Sequence, residues 1–480
     1  VLYGEAGRNG VVLVTTKTGR GGANITKGVE VNLTQSYFVN EIGGLADDQD
    51  SYGNGWQNFA SAAFSNWGAP MNEGAGGPSW ANSNGLVDGT IAHPYDRGAL
   101  NDHLPQYVDA RYDYKPYHNL QNFFVKGAQI NTSVGINARI DENSSIAFNY
   151  GFLKDEGFIK FNEFQKHNLS LGAQTKLQNG LRVNSSFNFI TSESAKPPVG
   201  VSHSSNPTGA SLFSNVLYTP RSWALYSKDL PWENPVDGSS IHYRSGNDIQ
   251  HPVWTLNNTI DKEKIRRFFG NINLMYEVTD WLSLHYRLGV DTYTQQQDYM
   301  IDKLGRQIPN GLFVTSERLN FITDMVFNIN IDYDLTSDLN LSGIIGSNLR
   351  RETADFRIME SNDMFIRGLF THQNFQTRES RSYYGEKNTP AIYTQWTLAY
   401  RNWAYLNFQG RNDWTSTLED ANNSIFYPSV SASFLPMDAL SISSNAVNLL
   451  KLRVGYGTSA GYPNLPYATR DVLNANATAW

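Results

Sequence analysis

Long stretches of this chain alternate, residue by residue, between apolar side chains and small polar ones. Leu282, Leu284, Tyr286, Leu288 and Val290 fall on one side of an extended backbone, and Ser283, His285, Arg287, Gly289 and Asp291 on the other. Met325, Phe327, Ile329, Ile331 and Tyr333 alternate in the same way with Asn328, Asn330, Asp332 and Asp334. The pattern returns in 145–153, 181–190 and 450–457. A period of two is the mark of a strand whose faces meet different surroundings, so the expected fold class is all-β. The polar face is rich in Asn, Ser and Gly and carries few Lys or Glu, as suits the wall of a wet, plugged lumen. A solvated sheet face could look similar, so a soluble architecture stays open at this point.

Strand length separates the two. Soluble strands average about five or six residues, whereas a tilted strand crossing a bilayer needs about nine or more. Leu282–Tyr293 alternates for longer than that. No apolar run approaches the roughly 18 residues of a membrane helix, and the longest candidate is Val11–Val14. A helical membrane protein is therefore excluded. A transmembrane barrel is not, because lipid-facing and lumen-facing residues alternate and the hydropathy averages out. Charged residues make up 17% of the chain, below the roughly 25% usual for soluble domains, and aromatics make up 13%. Together these figures suggest many short strands on a surface that tolerates aromatic rings.

The connections alternate in length. Asp141–Asn143, Gln178–Gly180, Thr279–Trp281 and Ser337–Leu339 have the composition of tight hairpin turns. Between them lie long joints, expected near 41–122, 194–264, 302–318 and 360–387. Short turns at one rim and long loops at the other fit an outer-membrane barrel, with periplasmic turns and extracellular loops. Roughly thirteen strand-length segments follow residue 27, against the wall of about 22 strands in plugged transporters. Both chain ends read as cuts. The expectation is an open sheet with unpaired edges near Val29–Val39 and Leu450–Gly457. Leu284, Tyr286, Leu288, Phe327, Ile329, Ile331, Leu406 and Phe408 should face lipid, and Asn328, Asn330 and Asn407 the lumen. No helical period is convincing anywhere.

Two stretches carry more than composition. Leu2-Tyr3-Gly4-Glu5-Ala6-Gly7-Arg8-Asn9-Gly10-Val11-Val12-Leu13-Val14-Thr15-Thr16-Lys17-Thr18-Gly19 resembles the end of the plug domain in the SusC/RagA family of TonB-linked outer-membrane proteins. Asn9-Gly10 is a tight-turn dipeptide, and Val11–Thr16 reads as a buried strand. Phe426-Tyr427-Pro428-Ser429-Val430 and Leu450-Lys451-Leu452-Arg453 resemble that family's Phe-Pro-Ser-Val strand and its hairpin partner. Gly410-Arg411-Asn412-Asp413-Trp414 resembles its Arg-x-Asp segment. The resemblance divides the chain into 1–22, the end of a plug with Tyr3, Gly4, Asn9, Gly10, Thr15, Thr16, Lys17 and Gly19 as its motif, and 23–480, the first part of a barrel. It implies outer-membrane, TonB-dependent import of an oligosaccharide or peptide with a SusD-like surface lipoprotein, the TonB complex being reached through upstream plug residues. A siderophore or cobalamin receptor would share the barrel; a second alternative is a passive porin or adhesin barrel, against which the plug-like segment Leu2–Gly19 argues, and a third is a soluble all-β carbohydrate-binding protein.

The residues point to binding rather than bond making. Cys is absent, which removes disulfides, thiolate metal sites and Cys nucleophiles. A net charge of −7 gives no basic field for nucleic acid. His93, His103, His118, His167, His203, His242, His251, His285 and His372 show no metal-ligand spacing. No Gly-x-Ser-x-Gly elbow occurs. Neither an enzyme nor a cofactor or metal site is expected. The Asp-rich run Asp47–Gly53 fails as a Ca²⁺ loop, since the twelfth position counted from Asp48 is Phe59, and it reads as a solvated loop. The candidate ligand-binding residues are the loop tryptophans Trp56, Trp67, Trp80, Trp223, Trp232 and Trp254, whose faces can stack on sugars or peptides. The alternative is that these rings pack the loops themselves. Trp281, Trp396, Trp403 and Tyr405 are assigned to interfacial girdles or the outer wall.

Overall fold

Each strand of the main sheet pairs antiparallel with the next in sequence, giving thirteen strands without a crossover. They are β1 (Gly28–Asn40), β2 (Gly127–Arg139), β3 (Ser145–Glu156), β4 (Glu163–Lys176), β5 (Arg182–Lys196), β6 (Thr259–Thr279), β7 (Leu282–Ile301), β8 (Leu312–Thr336), β9 (Leu339–Met364), β10 (Phe375–Tyr400), β11 (Ala404–Trp414), β12 (Ser424–Phe434) and β13 (Leu452–Gly457). The structure is a computed structural model that describes residues 28–45, 47–57, 59–60, 65–71, 86–198, 212–243, 250–443, 447, 449–463 and 468–469. The sheet is open: β1 pairs only with β2, and β13 only with β12. No helix is long and apolar enough to cross a membrane.

The registers sort the side chains as the alternation requires. Tyr276, Leu284, Ile329 and Ile345 stand opposite one another across β6–β9. Trp396, Phe408, Val430 and Tyr456 do so across β10–β13. On the other face one row runs Met275, His285, Asn328, Gly346, Tyr393, Arg411, Tyr427. Phe327, Leu406 and Phe408 are exposed, and Leu284, Tyr286, Leu288, Ile329 and Ile331 are half-buried. None belongs to a closed core. Strands of 11 to 26 residues, β13 excepted, are far longer than a soluble sandwich uses.

Because neighbours run antiparallel, connections alternate between rims. One rim holds the turns 140–144, 177–181, 280–281, 337–338 and 401–403, and the other holds 41–126, 197–258, 302–311 and 365–374. Asp141–Asn143 and the loop after β7 thus lie at opposite rims. Two joints depart from the rule. The loop-rim joint 157–162 is short, and the turn-rim joint 435–451 is long.

The expected joints 302–318 and 360–387 were drawn too long. β8 already starts at Leu312, β9 runs to Met364 and β10 starts at Phe375. Alternation fades in Thr315–Arg318, yet Thr315, Ser316, Glu317 and Arg318 stay paired with Met359, Ile358, Arg357 and Phe356. Beyond the hydrocarbon layer the outer face no longer has to be apolar, while backbone N–H and C=O groups still need partners. The ladder therefore outlasts the pattern.

The strands of the open sheet bury little of their own surface. The largest fully buried side chains among the described residues sit mainly in the loops: Trp223, Trp254, Tyr95, Tyr114, Phe123, Leu104, Leu212, Leu225 and Ile241.

Candidate functional site

The long connections at the loop rim are bound into one cap. Loops 41–126 and 197–258 share an apolar cluster that includes Ile91, Tyr95, Leu104, Tyr112, Trp223, Leu230 and Ile241. Trp223 lies between Tyr112 and Tyr243, with ring centroids 5.1 and 5.2 Å away. A second cluster joins Phe123, Ile159, Leu212, Val216, Leu225, Val253 and Leu256.

Polar side chains stitch the loops where no regular ladder can. Asn119 donates to the carbonyls of Pro220 (3.2 Å) and Trp223 (2.7 Å) and accepts from the Leu225 amide (2.8 Å). Arg97 donates to the carbonyls of Tyr243 (3.0 Å) and His242 (2.6 Å). The buried Arg221 donates to the Tyr117 carbonyl (2.6 Å), pairs with Asp50 and lies 3.5 Å from Asp48. Loop 302–311 joins through Arg306, which donates to the Ser240 carbonyl (3.1 Å). Loop 365–374 joins through Arg367, which donates to Glu233 (2.5 Å) and Asn258 (3.0 Å). Such bonds satisfy buried backbone groups that would otherwise cost about 1–3 kcal/mol each.

Burial sets the protonation of this cap. It pushes the His251 imidazole down to about 3. It also lowers His93, against an opposing hydrogen bond to the Asp229 carbonyl. The phenols of Tyr95, Tyr112 and Tyr114 are pushed up by burial and stay neutral, Tyr95 and Tyr114 donating to backbone carbonyls and Tyr112 accepting from the Ala224 amide.

The tryptophans divide sharply. Trp223 and Trp254 are 1% and 0% exposed, so their rings are taken up by packing. Trp254 also donates Nε1–H to the Gly238 carbonyl (3.1 Å). Trp232 packs half-buried against the second cluster. Trp56 and Trp67 are 46% and 57% exposed and meet edge to face at 6.3 Å. Trp80 and the motif residues Tyr3, Gly4, Asn9, Gly10, Thr15, Thr16, Lys17 and Gly19 lie outside the described residues. The Asp-rich run is more than a solvated loop, since Asp48 and Asp50 face Arg221. Among the described residues no group of three or more acidic or His side chains could hold a metal ion.

The inner face of the sheet is a polar network. Ser170 donates to Asn188 (2.7 Å), Asn271 to Ser186 (3.0 Å) and Thr397 to Asn407 (2.7 Å). Arg267 forms a two-point bridge to Asp291 (3.0 and 2.6 Å), and Arg287 pairs with Asp324 (2.7 Å). Tyr393 donates to Asn328 (2.6 Å), while the guanidinium of Arg411 lies over the Tyr393 ring and bonds Asp413 (2.6 Å). This face can line a water-filled path and offer donors and acceptors to a polar cargo.

No protein-family model matches the chain. The TonB-dependent receptor P26 of Formosa agariphila is 23% identical over 499 residues, covering 99% of this chain and 43% of that protein. The RagAB peptide transporter structure superposes with a TM-score of 0.69 at 14% identity, covering 100% of this chain and 52% of its counterpart. Over its whole length the chain is similar to TonB-dependent receptors, which sit in the cell outer membrane. The RagAB peptide importer in its open-open state gives a TM-score of 0.66 at 15% identity, over 96% of this chain and 49% of its own. The chain thus spans about half the length of the relatives it matches.

Sequence reading missed the residues that assemble the cap: Arg97, Asn119, Arg221, Arg306 and Arg367. Their partners lie up to 172 positions away, and nothing periodic marks them. The one local cue is charge. Arg221 is a lone cation between proline and serine, and a polar loop with no acid nearby must find one elsewhere or stay in water.

Proposed function

We propose that this receptor chain forms part of the wall and the outer cap of a TonB-dependent importer of peptides, working with a SusD-like surface lipoprotein. Residues 1–22 would be the end of its plug. Inner-membrane energy would reach that plug through TonB, and the cap with the polar wall would hold the cargo on its way in. The reading rests chiefly on the likeness of the whole chain to the fold of RagAB, a peptide importer with open-open and closed-closed states. Oligosaccharide import is the second reading, favoured by the exposed Trp56–Trp67 pair, because indole faces stack on the apolar faces of sugars as well as on peptide side chains.

Uptake by whole cells decides between them. Cells carrying the intact receptor should accumulate labelled oligopeptides, and deleting TonB should abolish the uptake. A Trp56→Ala/Trp67→Ala receptor that reaches the membrane normally should lose about tenfold in apparent affinity, in line with roughly 1.5 kcal/mol for aromatic contacts. TonB-dependent uptake of oligosaccharide in place of peptide would replace the cargo class. Unchanged uptake without TonB would overturn the importer reading itself.

A further inference from the structure

The outward face of β4–β6 changes character abruptly above its apolar belt. Leu169, Phe189 and Phe268 stand opposite one another there and are 40%, 43% and 37% exposed. Two residues nearer the loop rim, the same face carries His167, Thr191, Arg266 and, on β7, Thr294. The next row is Gln165, Glu193, Lys264 and Gln296, and the one above it Glu163, Ala195, Lys262 and Asp298.

β6 sorts charge by face. Lys262, Lys264 and Arg266 share the outward face, about 7 Å apart. Asp261, just before Lys262, and Glu263, between Lys262 and Lys264, point inward. Glu263 accepts from Gln295 (2.7 Å) and lies 3.6 Å from Lys196, and Asp261 accepts from Gln297 (2.8 Å). Lys264 pairs with Glu193 on the outer face. Arg266 and Lys262 are exposed and have no carboxylate within ion-pair distance among the described residues. Thr191 and Thr294 flank Arg266 on the neighbouring strands, each about 5 Å away along the hydrogen-bond direction.

We propose that Arg266, with Thr191 and Thr294 beside it and Lys262 four residues nearer the loop rim on the same face, binds the phosphorylated headgroup of an outer-leaflet lipid. The site lies where such a group must lie, one step above side chains facing hydrocarbon and on the side of the long, extracellular loops. A guanidinium offers a forked pair of donors to phosphate, and hydroxyls on either side supply further donors. The acyl chains would then run down over Phe268, Phe189 and Leu169. The same cations on a soluble sheet would be an ordinary solvated face, so the inference rests on the outer-membrane placement and not on the cargo.

The test uses the intact receptor in phosphatidylethanolamine nanodiscs doped with diphosphorylated lipid A, with its dephosphorylated form, or with neither, read by native mass spectrometry. Retention of the phosphorylated form is expected, and R266Q should lower it about fivefold, with K262Q lowering it by a similar factor. E263Q, which changes an inward charge on the same strand, should leave it unchanged. R266K, which keeps the charge and loses the fork, serves if R266Q inserts poorly, and should retain an intermediate amount. Equal retention of the dephosphorylated lipid would overturn the proposal by assigning binding to the apolar belt. Equal retention by both R266Q and K262Q would overturn it too. Displacement by millimolar inorganic phosphate would reassign the site to a free anion.

Discussion

Gly55 and Gly68 touch backbone to backbone: a β-carbon on Gly55 would lie 3.0 Å from the α-carbon of Gly68, and one on Gly68 2.9 Å from that of Gly55. This close approach brings their neighbours Trp56 and Trp67 into edge-to-face contact on the cap surface. Gly55 also has φ of 130°, open only to glycine. Gly68→Ala should push the two backbone segments apart, part the indoles and cost about 1–3 kcal/mol locally. Tryptophan fluorescence and limited proteolysis within 55–70 would register the change. An unaltered spectrum would mean that the pair is held by something else.

The cap should loosen in mild acid. His251 Nδ1 accepts from the Val253 amide at the start of the helix Pro252–Asn258, and His93 Nδ1 accepts from the Tyr95 amide. Both bonds need a bare nitrogen, and both imidazoles are held below their ordinary 6.5, His251 at about 3. An unfolded cap would therefore bind protons that the folded cap refuses. The stabilisation is complete above pH 6.5 and is lost as pH falls from there toward 3. Fluorescence of the buried Trp223 and Trp254 should report opening in that window. His251→Asn, which can still cap the helix, should move the transition to lower pH.

Arg221 is a tie between loops. Its side chain is 6% exposed, with Asp50 and Asp48 at 50% and 30%, so solvent screens the acids and weakens the ion pairs. The hydrogen bond to the Tyr117 carbonyl is in the interior. Arg221→Met should cost the cap about 1–3 kcal/mol, seen as earlier proteolysis of loop 41–126 with the barrel intact. Asp48→Asn should cost less than 1 kcal/mol.

Arg411 and Asp413 form the most buried ion pair among the described residues, at 7% and 2% side-chain exposure. Asp413→Ala would leave the guanidinium without its carboxylate and should destabilise the wall by about 3–5 kcal/mol, whereas replacing both by apolar residues should recover much of that. Thermal unfolding in detergent measures it. Equal losses in the single and double variants would show that the pair acts through its other contacts.

Much of the wall was legible because its cause is local. A strand between lipid and lumen must alternate, so roughly thirteen segments and their faces could be read from neighbours two residues apart; the rims followed from hairpin parity, and the joints 157–162 and 435–451 broke the short-turn, long-loop rule. The tall ends of β8–β10 were missed where lipid stops selecting the outer face, since backbone pairing leaves no mark in side-chain polarity. Arg411 and Asp413 were marked by the resemblance to the Arg-x-Asp segment, and they meet because positions two apart share a strand face.

The amino-acid order by itself determined the all-β wall, its apolar and polar faces and the exclusion of cysteine chemistry. Tertiary structure alone decided which tryptophans remain exposed, which acids Arg221 meets and how four loops become one cap. The reason is physical: alternation is imposed on each residue by its own surroundings, whereas loop packing depends on partners a hundred or more positions away, chosen by shape and by hydrogen bonds that buried backbone cannot forgo.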